Sequence, residues 1–279
     1  MTTVKVFAPA KINLTLHITG QRADGYHLLD SLVCFADIGD HVSATPADAH
    51  SLTLEGPEAN GLKGEGDNLV LRAARLIAPD RGAALRLTKN LPVASGIGGG
   101  SADAAAALKA LGQLFELNLP EASATLALGA DVPACLTAQP LRMRGVGEII
   151  TPLPALPAAE IILINPRVAV STPAIFAALE QKDNAPMSEE LPVWETLDEM
   201  AAWLDHQRND LRPPAIAQQP VIEEVLSALR STQACFVGMS GSGATCFALY
   251  PKGAVEAASV LRNARPEWWV QAGALLSVS

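Results

Sequence analysis

The stretch Pro92-Val93-Ala94-Ser95-Gly96-Ile97-Gly98-Gly99-Gly100-Ser101-Ala102-Asp103 constrains this chain most, because its four glycines stand directly before the alanine-rich run Ala104 to Leu108. Glycine adopts backbone conformations closed to other residues and lets the main chain approach a bulky group. An alanine-rich run favours helix, and the first turn of a helix carries N–H groups with no partner inside it. A glycine loop that opens a helix therefore reads as a cradle for an anion, and phosphate is the natural guest. A Walker loop fits poorly, since it closes on Gly-Lys-Ser/Thr and Lys109 falls well inside the expected helix. A dinucleotide fingerprint fits little better. Glu116 stands about 20 residues on, where a ribose-binding acid is wanted, but three consecutive glycines and Ser101 replace the spaced third glycine.

Around this loop the sequence predicts interspersed helices and strands, a mixed α/β or α+β class. From Val4 to Ile18 apolar and polar residues alternate, so Lys11, Asn13, Thr15 and His17 share one strand face, with Lys11 and Asn13 about 7 Å apart. Gln21 to His27 reads as a hairpin or loop around Asp24-Gly25. A helix is expected to Ile77 with Asp67 or Asn68 as its cap, then a strand over Ala84–Thr88 that enters the glycine loop, then a helix over about Ala102–Phe115. Further on, a short helix and the turn Gly129-Ala130-Asp131-Val132-Pro133 precede a strand at Ile161–Ile164 and helices near Pro173–Leu179 and Val221–Leu229. Near the end, Ala234–Val237, the loop Gly238-Met239-Ser240-Gly241-Ser242-Gly243 and Ala244–Tyr250 read as strand, glycine loop and strand. Gln181–Pro192 is polar and reads as a surface loop, and Trp268-Trp269 could support a weak oligomer contact.

With 279 residues the chain can form two ordinary domains, and the proline-rich tract Pro152–Pro157 suggests a junction, 1–153 followed by 154–279. A net charge of −9 and a pI near 5.0 argue against sequence-independent binding to nucleic acid or to an anionic membrane surface, leaving a small-molecule partner. The first residues lack a basic segment followed by an apolar core, and no apolar run reaches about 18 residues, so a soluble, cytoplasmic protein is expected. Cys34, Cys135, Cys235 and Cys246 stand singly, without metal-ligand spacing, and read as buried thiols.

Taken in order, Ala8-Pro9-Ala10-Lys11-Ile12-Asn13-Leu14, the Pro92–Asp103 loop, Gly129–Pro133 and Gly238–Gly243 make the chain resemble the GHMP kinases, small-molecule kinases without a Walker motif. Arg22-Ala23-Asp24-Gly25-Tyr26-His27, Gly145-Val146-Gly147-Glu148 and Met239–Gly243 are similar to the branch whose substrate is a cytidine-diphosphate-linked methylerythritol. The matches span most of the chain.

That resemblance implies two α/β domains with an active site in the cleft between them, a monomer or weak homodimer, and transfer of the γ-phosphoryl group of ATP to the substrate's 2-hydroxyl. Asp131 then matches the aspartate that accepts the hydroxyl proton, although alone it reads rather as a turn or helix-capping residue before Pro133. Lys11 matches its paired lysine, which stabilises negative charge on the moving phosphoryl group. Alone it reads as a solvent-facing lysine on an edge strand. Asn13 matches a substrate contact, and Tyr26 and His27 match the residues that stack on and hydrogen-bond the cytosine. Pro92 through Ala102 would wrap the ATP phosphates, with magnesium expected alongside and its ligands open. Ser240 and Ser242 would belong to a loop near the phosphates or to a simple hairpin connection. Ile97 replaces a leucine common in the family, a conservative apolar change.

Overall fold

The computed structural model describes residues 2–62 and 67–277. Its first part forms β1 (Val4–Asn13), β2 (His17–Gln21), β3 (His27–Ala47), β4 (Ser51–Glu55), α1 (Leu69–Ile77) and β5 (Gly82–Thr88). Then follow α2 (Gly99–Phe115), α3 (Ala122–Leu128), α4 (Val132–Thr137), β6 (Leu141–Gly145), β7 (Ile149–Pro152) and β8 (Glu160–Asn165). The remainder is α5 (Thr172–Ala177), α6 (Leu197–Leu204), α7 (Arg212–Gln218), α8 (Val221–Arg230), β9 (Phe236–Met239), β10 (Cys246–Tyr250), α9 (Ala254–Ala264) and β11 (Trp269–Ala274). These elements condense into two compact units whose segments interleave along the sequence. One comprises the chain through Lys11, Gly39–Val93 and Gly98–Ala138; the other comprises Ile12–Ile38, Ala94–Ile97 and everything from Gln139.

In the first unit β5 is the central strand, antiparallel to the end of β3 (His41 opposite Thr88, Ala47 opposite Gly82) and parallel to β4 (Ser51 opposite Ala84). Its alternation is regular: Ala83, Leu85 and Leu87 are buried while Ala84 and Arg86 face outward. α1 starts where Asn68 accepts a hydrogen bond from the Val70 N–H at 2.9 Å, relieving an unpaired first-turn donor. α2 packs on α1, α4 and β5, and the whole run Ala102–Gly112 is buried apart from Lys109. Small side chains let the neighbouring helices approach it from several directions, which explains why an alanine run is central to this unit.

The second unit carries an antiparallel sheet in the order β11-β8-β10-β9. α8 packs on β9 and β10, and α9 on β8 and β11, enclosing Ile162, Ile164, Ile222, Val225, Leu226, Leu229 and Tyr250. The hairpin expected at Gln21–His27 joins β2 to β3, with Gln21 opposite His27 and Gly25 at φ +91° in its turn. Strand, glycine loop and strand also follow as expected from β9 to β10.

Several expectations give way. The alternating segment breaks after Asn13, and its polar face is buried: Lys11, Asn13, Thr15 and His17 are all at most 3% exposed. Thr15 and Ser31 satisfy each other's surroundings there, Ser31 Oγ donating to the Thr15 carbonyl at 2.5 Å and the Leu32 N–H donating to Thr15 Oγ1 at 2.8 Å. Gln181–Pro192 lacks regular structure and is mostly exposed, as expected, but Met187 in its middle is buried and the backbone around it is pinned. Asp30 accepts a forked pair from Arg142 at 2.8 and 2.7 Å and the Met187 N–H at 2.9 Å, while Arg142 also donates to the carbonyls of Met187, Ser188 and Glu189. Trp268 and Trp269 are buried, so they offer no contact surface. Cys34, Cys135 and Cys246 are buried free thiols, whereas Cys235 is only half-buried and donates to Asp198.

Replacing Arg142 by Met would strand the Asp30 carboxylate in the interior and release the loop around Met187. The expected cost is about 3–5 kcal/mol, read as a lower urea midpoint. A midpoint within experimental error of wild type would show that the pair does not hold this region.

Candidate active site

Lys11 is a buried cation near the end of β1, and burial of a lone ammonium is unfavourable without an anion beside it. Its Nζ donates to Asp131 Oδ1 at 2.6 Å, and the aspartate side chain keeps 32% of its surface open. Asp131 occupies the position that would cap α4, yet it makes no capping hydrogen bond and turns to the lysine instead. Pro133 in the first turn of α4 lacks an N–H, so part of the need for a cap is already removed. The carboxylate is thus oriented by one strong contact and reachable by a further partner.

The first turn of α2 lies against the same lysine. Gly98 precedes the helix at φ +62°, and a Cβ built on it would come within 3.1 Å of Lys11 Cβ and 3.4 Å of Lys11 Cε. Both the left-handed backbone and the contact require glycine. No side chain caps this 17-residue helix, so the N–H groups of Gly99, Gly100 and Ser101 form an anion-accepting end. Within the first unit, then, the fold brings Lys11, Asp131 and the start of α2 together from three distant parts of the chain. Beneath that turn sits a cluster that sequence reasoning missed, Lys89 with Asp40 and Asp103. Lys89 and Asp103 flank the glycine loop in sequence, a signal that was available; Asp40 lies within β3 and gave none.

The loop is shared between the units: Pro92 and Val93 leave β5 in the first, Ala94–Ile97 belong to the second, and Gly98–Ala102 return to the first. In the second unit Ser240 is fully buried and works as a strut, donating to the Gly96 carbonyl at 2.8 Å and accepting the Asn13 N–H at 3.0 Å. Gly96 (φ +75°) must be glycine, since a Cβ there would stand 2.5 Å from the Ser240 carbonyl. Thr245 N–H donates to the Ser95 carbonyl at 3.2 Å, and Ser242 pairs with Thr172 at 2.8 Å. The glycine loop near the C-terminus therefore braces the middle of the first glycine loop. Asn13 Nδ2 donates to Ser31 Oγ at 2.7 Å, fixing its amide.

Tyr26 is 65% exposed, at the tip between β2 and β3. His27 instead stacks on Phe176 of α5, ring centroids 4.8 Å apart and 28° between planes, and its Nε2 is buried with no hydrogen-bond partner. Burial, assisted by the positive charge of Lys182, lowers the His27 pKa and favours the neutral ring. Phe176 was passed over in the sequence, where it reads only as an apolar residue of a short helix. Among the described residues there is no group of three His, Cys, Asp or Glu able to hold a metal ion, and no helix is long and apolar enough to cross a membrane.

The model of the GHMP kinases N terminal domain matches residues 68–139 and that of the GHMP kinases C terminal domain matches residues 175–266. The chain is 63% identical to the 4-diphosphocytidyl-2-C-methyl-D-erythritol kinase of Ruegeria pomeroyi, covering 98% of this chain and 99% of that one. It is 57% identical to the protein of the same name from Cereibacter sphaeroides, covering 96% and 97%. A crystal structure of 4-(cytidine 5'-diphospho)-2C-methyl-D-erythritol kinase superposes with a TM-score of 0.81 at 33% identity, over 97% of this chain and 98% of the other. A homoserine kinase from Cytophaga hutchinsonii shares the fold at 19% identity and a TM-score of 0.65. The chain belongs to the GHMP kinases, and within them to the 4-diphosphocytidyl-2-C-methyl-D-erythritol kinase family. It is a kinase, of a class that uses ATP, with the mixed α/β fold of that family.

The His27 ring should titrate below its ordinary value near 6.5, so that it is mostly neutral at pH 7. An NMR titration of its ring protons gives the midpoint directly, and Lys182→Ala should raise it. A midpoint above 6.5 would contradict the buried environment described here.

Proposed function

We propose that this chain transfers the γ-phosphoryl group of ATP to the 2-hydroxyl of 4-diphosphocytidyl-2-C-methyl-D-erythritol, giving the 2-phosphate and ADP, in non-mevalonate isoprenoid precursor biosynthesis. The observation that carries this reading is the Lys11–Asp131 pair at 2.6 Å beside the uncapped start of α2. A carboxylate is a weak base toward an alcohol in water, so it helps only when held on the reacting hydroxyl as the new bond forms. Asp131 accepts that proton while the hydroxyl oxygen bonds to the γ-phosphorus and the bond to the β-phosphate oxygen breaks, the electron pair leaving with ADP. Lys11 orients the carboxylate and offsets negative charge on the phosphoryl oxygens.

In this reading Pro92 through Ala102 wrap the triphosphate, with the N–H groups of Gly99, Gly100 and Ser101 as donors. Asn13 contacts the alcohol portion of the substrate. Tyr26 and His27 select cytosine, the exposed tyrosine ring by stacking and the His27 ring by a hydrogen bond to the base edge. Magnesium neutralises phosphate charge in such reactions. Its ligands stay open, and no step here runs through it. The −9 net charge supports small-molecule partners without nucleic acid or membrane binding. A cytoplasmic location and a monomer or weak homodimer complete the reading. As a division of the sequence we keep 1–153 and 154–279, a boundary that lies in the interval between the matched segments 68–139 and 175–266.

Purified protein incubated with ATP and magnesium should phosphorylate the cytidylylated methylerythritol and leave mevalonate and homoserine unchanged. Turnover of either alternative in preference to it would defeat the assignment. Asp131→Asn should lower kcat by about 10²- to 10⁴-fold with little change in KM, whereas Tyr26→Ala should act mainly by raising KM for the cytidylylated substrate. Wild-type turnover by Asp131→Asn would remove this residue from the chemistry.

A further inference from the structure

Directly beneath the first turn of α2, Lys89 is buried between two buried carboxylates. Its Nζ donates to Asp40 Oδ2 at 2.5 Å and to Asp103 Oδ2 at 2.8 Å. The two acids are held differently. Asp40 Oδ1 also accepts the N–H groups of Asn90 at 2.5 Å and Leu91 at 2.9 Å, fixing it where β5 leads into the glycine loop. Asp103, in the second turn of α2, leaves Oδ1 buried with no hydrogen-bond partner. A Cβ on Gly99 would stand 3.1 Å from Lys89 Nζ, so the ammonium lies immediately behind the backbone of the helix's first residue.

One carboxylate is enough to compensate one buried ammonium, and a second adds surplus negative charge where burial penalises it. Burial does push the Asp103 pKa up, to about 7, with Lys89 opposing the shift and Asp40 adding to it. Burial works against the charge on Lys89, but Asp103 and Asp40 outweigh it and its pKa stays raised. The Cys135 thiol of α4 also senses Asp103, together with Asp131, Lys11 and Lys109. The charged side chains of α1, Arg72 and Arg75, pair with Asp67 at the exposed surface and do not face the cluster.

We propose that Lys89 is a positioning residue for the triphosphate: anchored by Asp40, it holds the first turn of α2 in place and keeps a fixed positive charge behind Gly99, and Asp103 sets how much of that charge a bound phosphate feels. The proposal rests on reading the start of α2 as the phosphate site. Asp103→Asn removes the surplus carboxylate and keeps the Lys89–Asp40 pair, so at pH 8 it should bind the non-hydrolysable β,γ-imido analogue of ATP severalfold more tightly in a calorimetric titration. The gain should shrink at pH 6, where wild-type Asp103 is itself protonated. Lys89→Met should raise KM for ATP at least tenfold while KM for the alcohol substrate changes less than twofold, and Lys89→Arg should recover part of the loss.

Analogue binding by Asp103→Asn that is unchanged or weaker at pH 8 would overturn the proposal, as would equal rises in both KM values for Lys89→Met. If Lys89→Met fails to fold, the pH-dependent comparison with Asp103→Asn decides alone. A wild-type protein that binds the analogue yet phosphorylates nothing would defeat the proposed activity, and the calorimetric comparison would still decide this proposal.

Discussion

A buried ammonium facing a single, partly open carboxylate is the interaction on which the candidate site depends. Lys11 is almost wholly buried and pairs with Asp131, and Asp131 in turn forgoes the helix-capping role its position offers. The same lysine sets the identity of Gly98, whose missing side chain lets the start of α2 settle against the lysine stem. One strand residue thereby aligns an acid from one helix start with the open amides of another. Little of this arrangement can be varied independently.

Elsewhere the fold uses the same device with different chemistry. Arg142 spends its planar fork on Asp30 and its remaining donors on three successive carbonyls, so a stretch without helix or strand gains a fixed course. Ser240 gives one hydrogen bond and takes one, tying a backbone carbonyl of the first glycine loop to the backbone of β1. In both places irregular backbone is held by side chains because no ladder of strand or helix is available to satisfy it.

The glycine loop, the helix behind it and the strand before it were legible in the sequence because each depends on local composition. The hairpin at Asp24-Gly25 and the pair of strands around Ser240–Gly243 were legible for the same reason. The burial of the polar side of the first strand was not legible, since alternation reports two faces and says nothing of what covers each. Thr15 and His17 are buried because Ser31, Met187 and Arg208 come from remote segments to meet them. The Lys89 cluster escaped notice on similar grounds: its third member, Asp40, lies 49 residues from the lysine it holds. Trp268 and Trp269 show the opposite error, where large apolar side chains suggested a surface and belong to the interior.

The backbone passes between the compact units after Lys11, Ile38, Val93, Ile97 and Ala138. No single break in the polypeptide separates one unit intact from the other. A single crossover therefore cannot carry either unit whole; exchanging one means joining several segments at once.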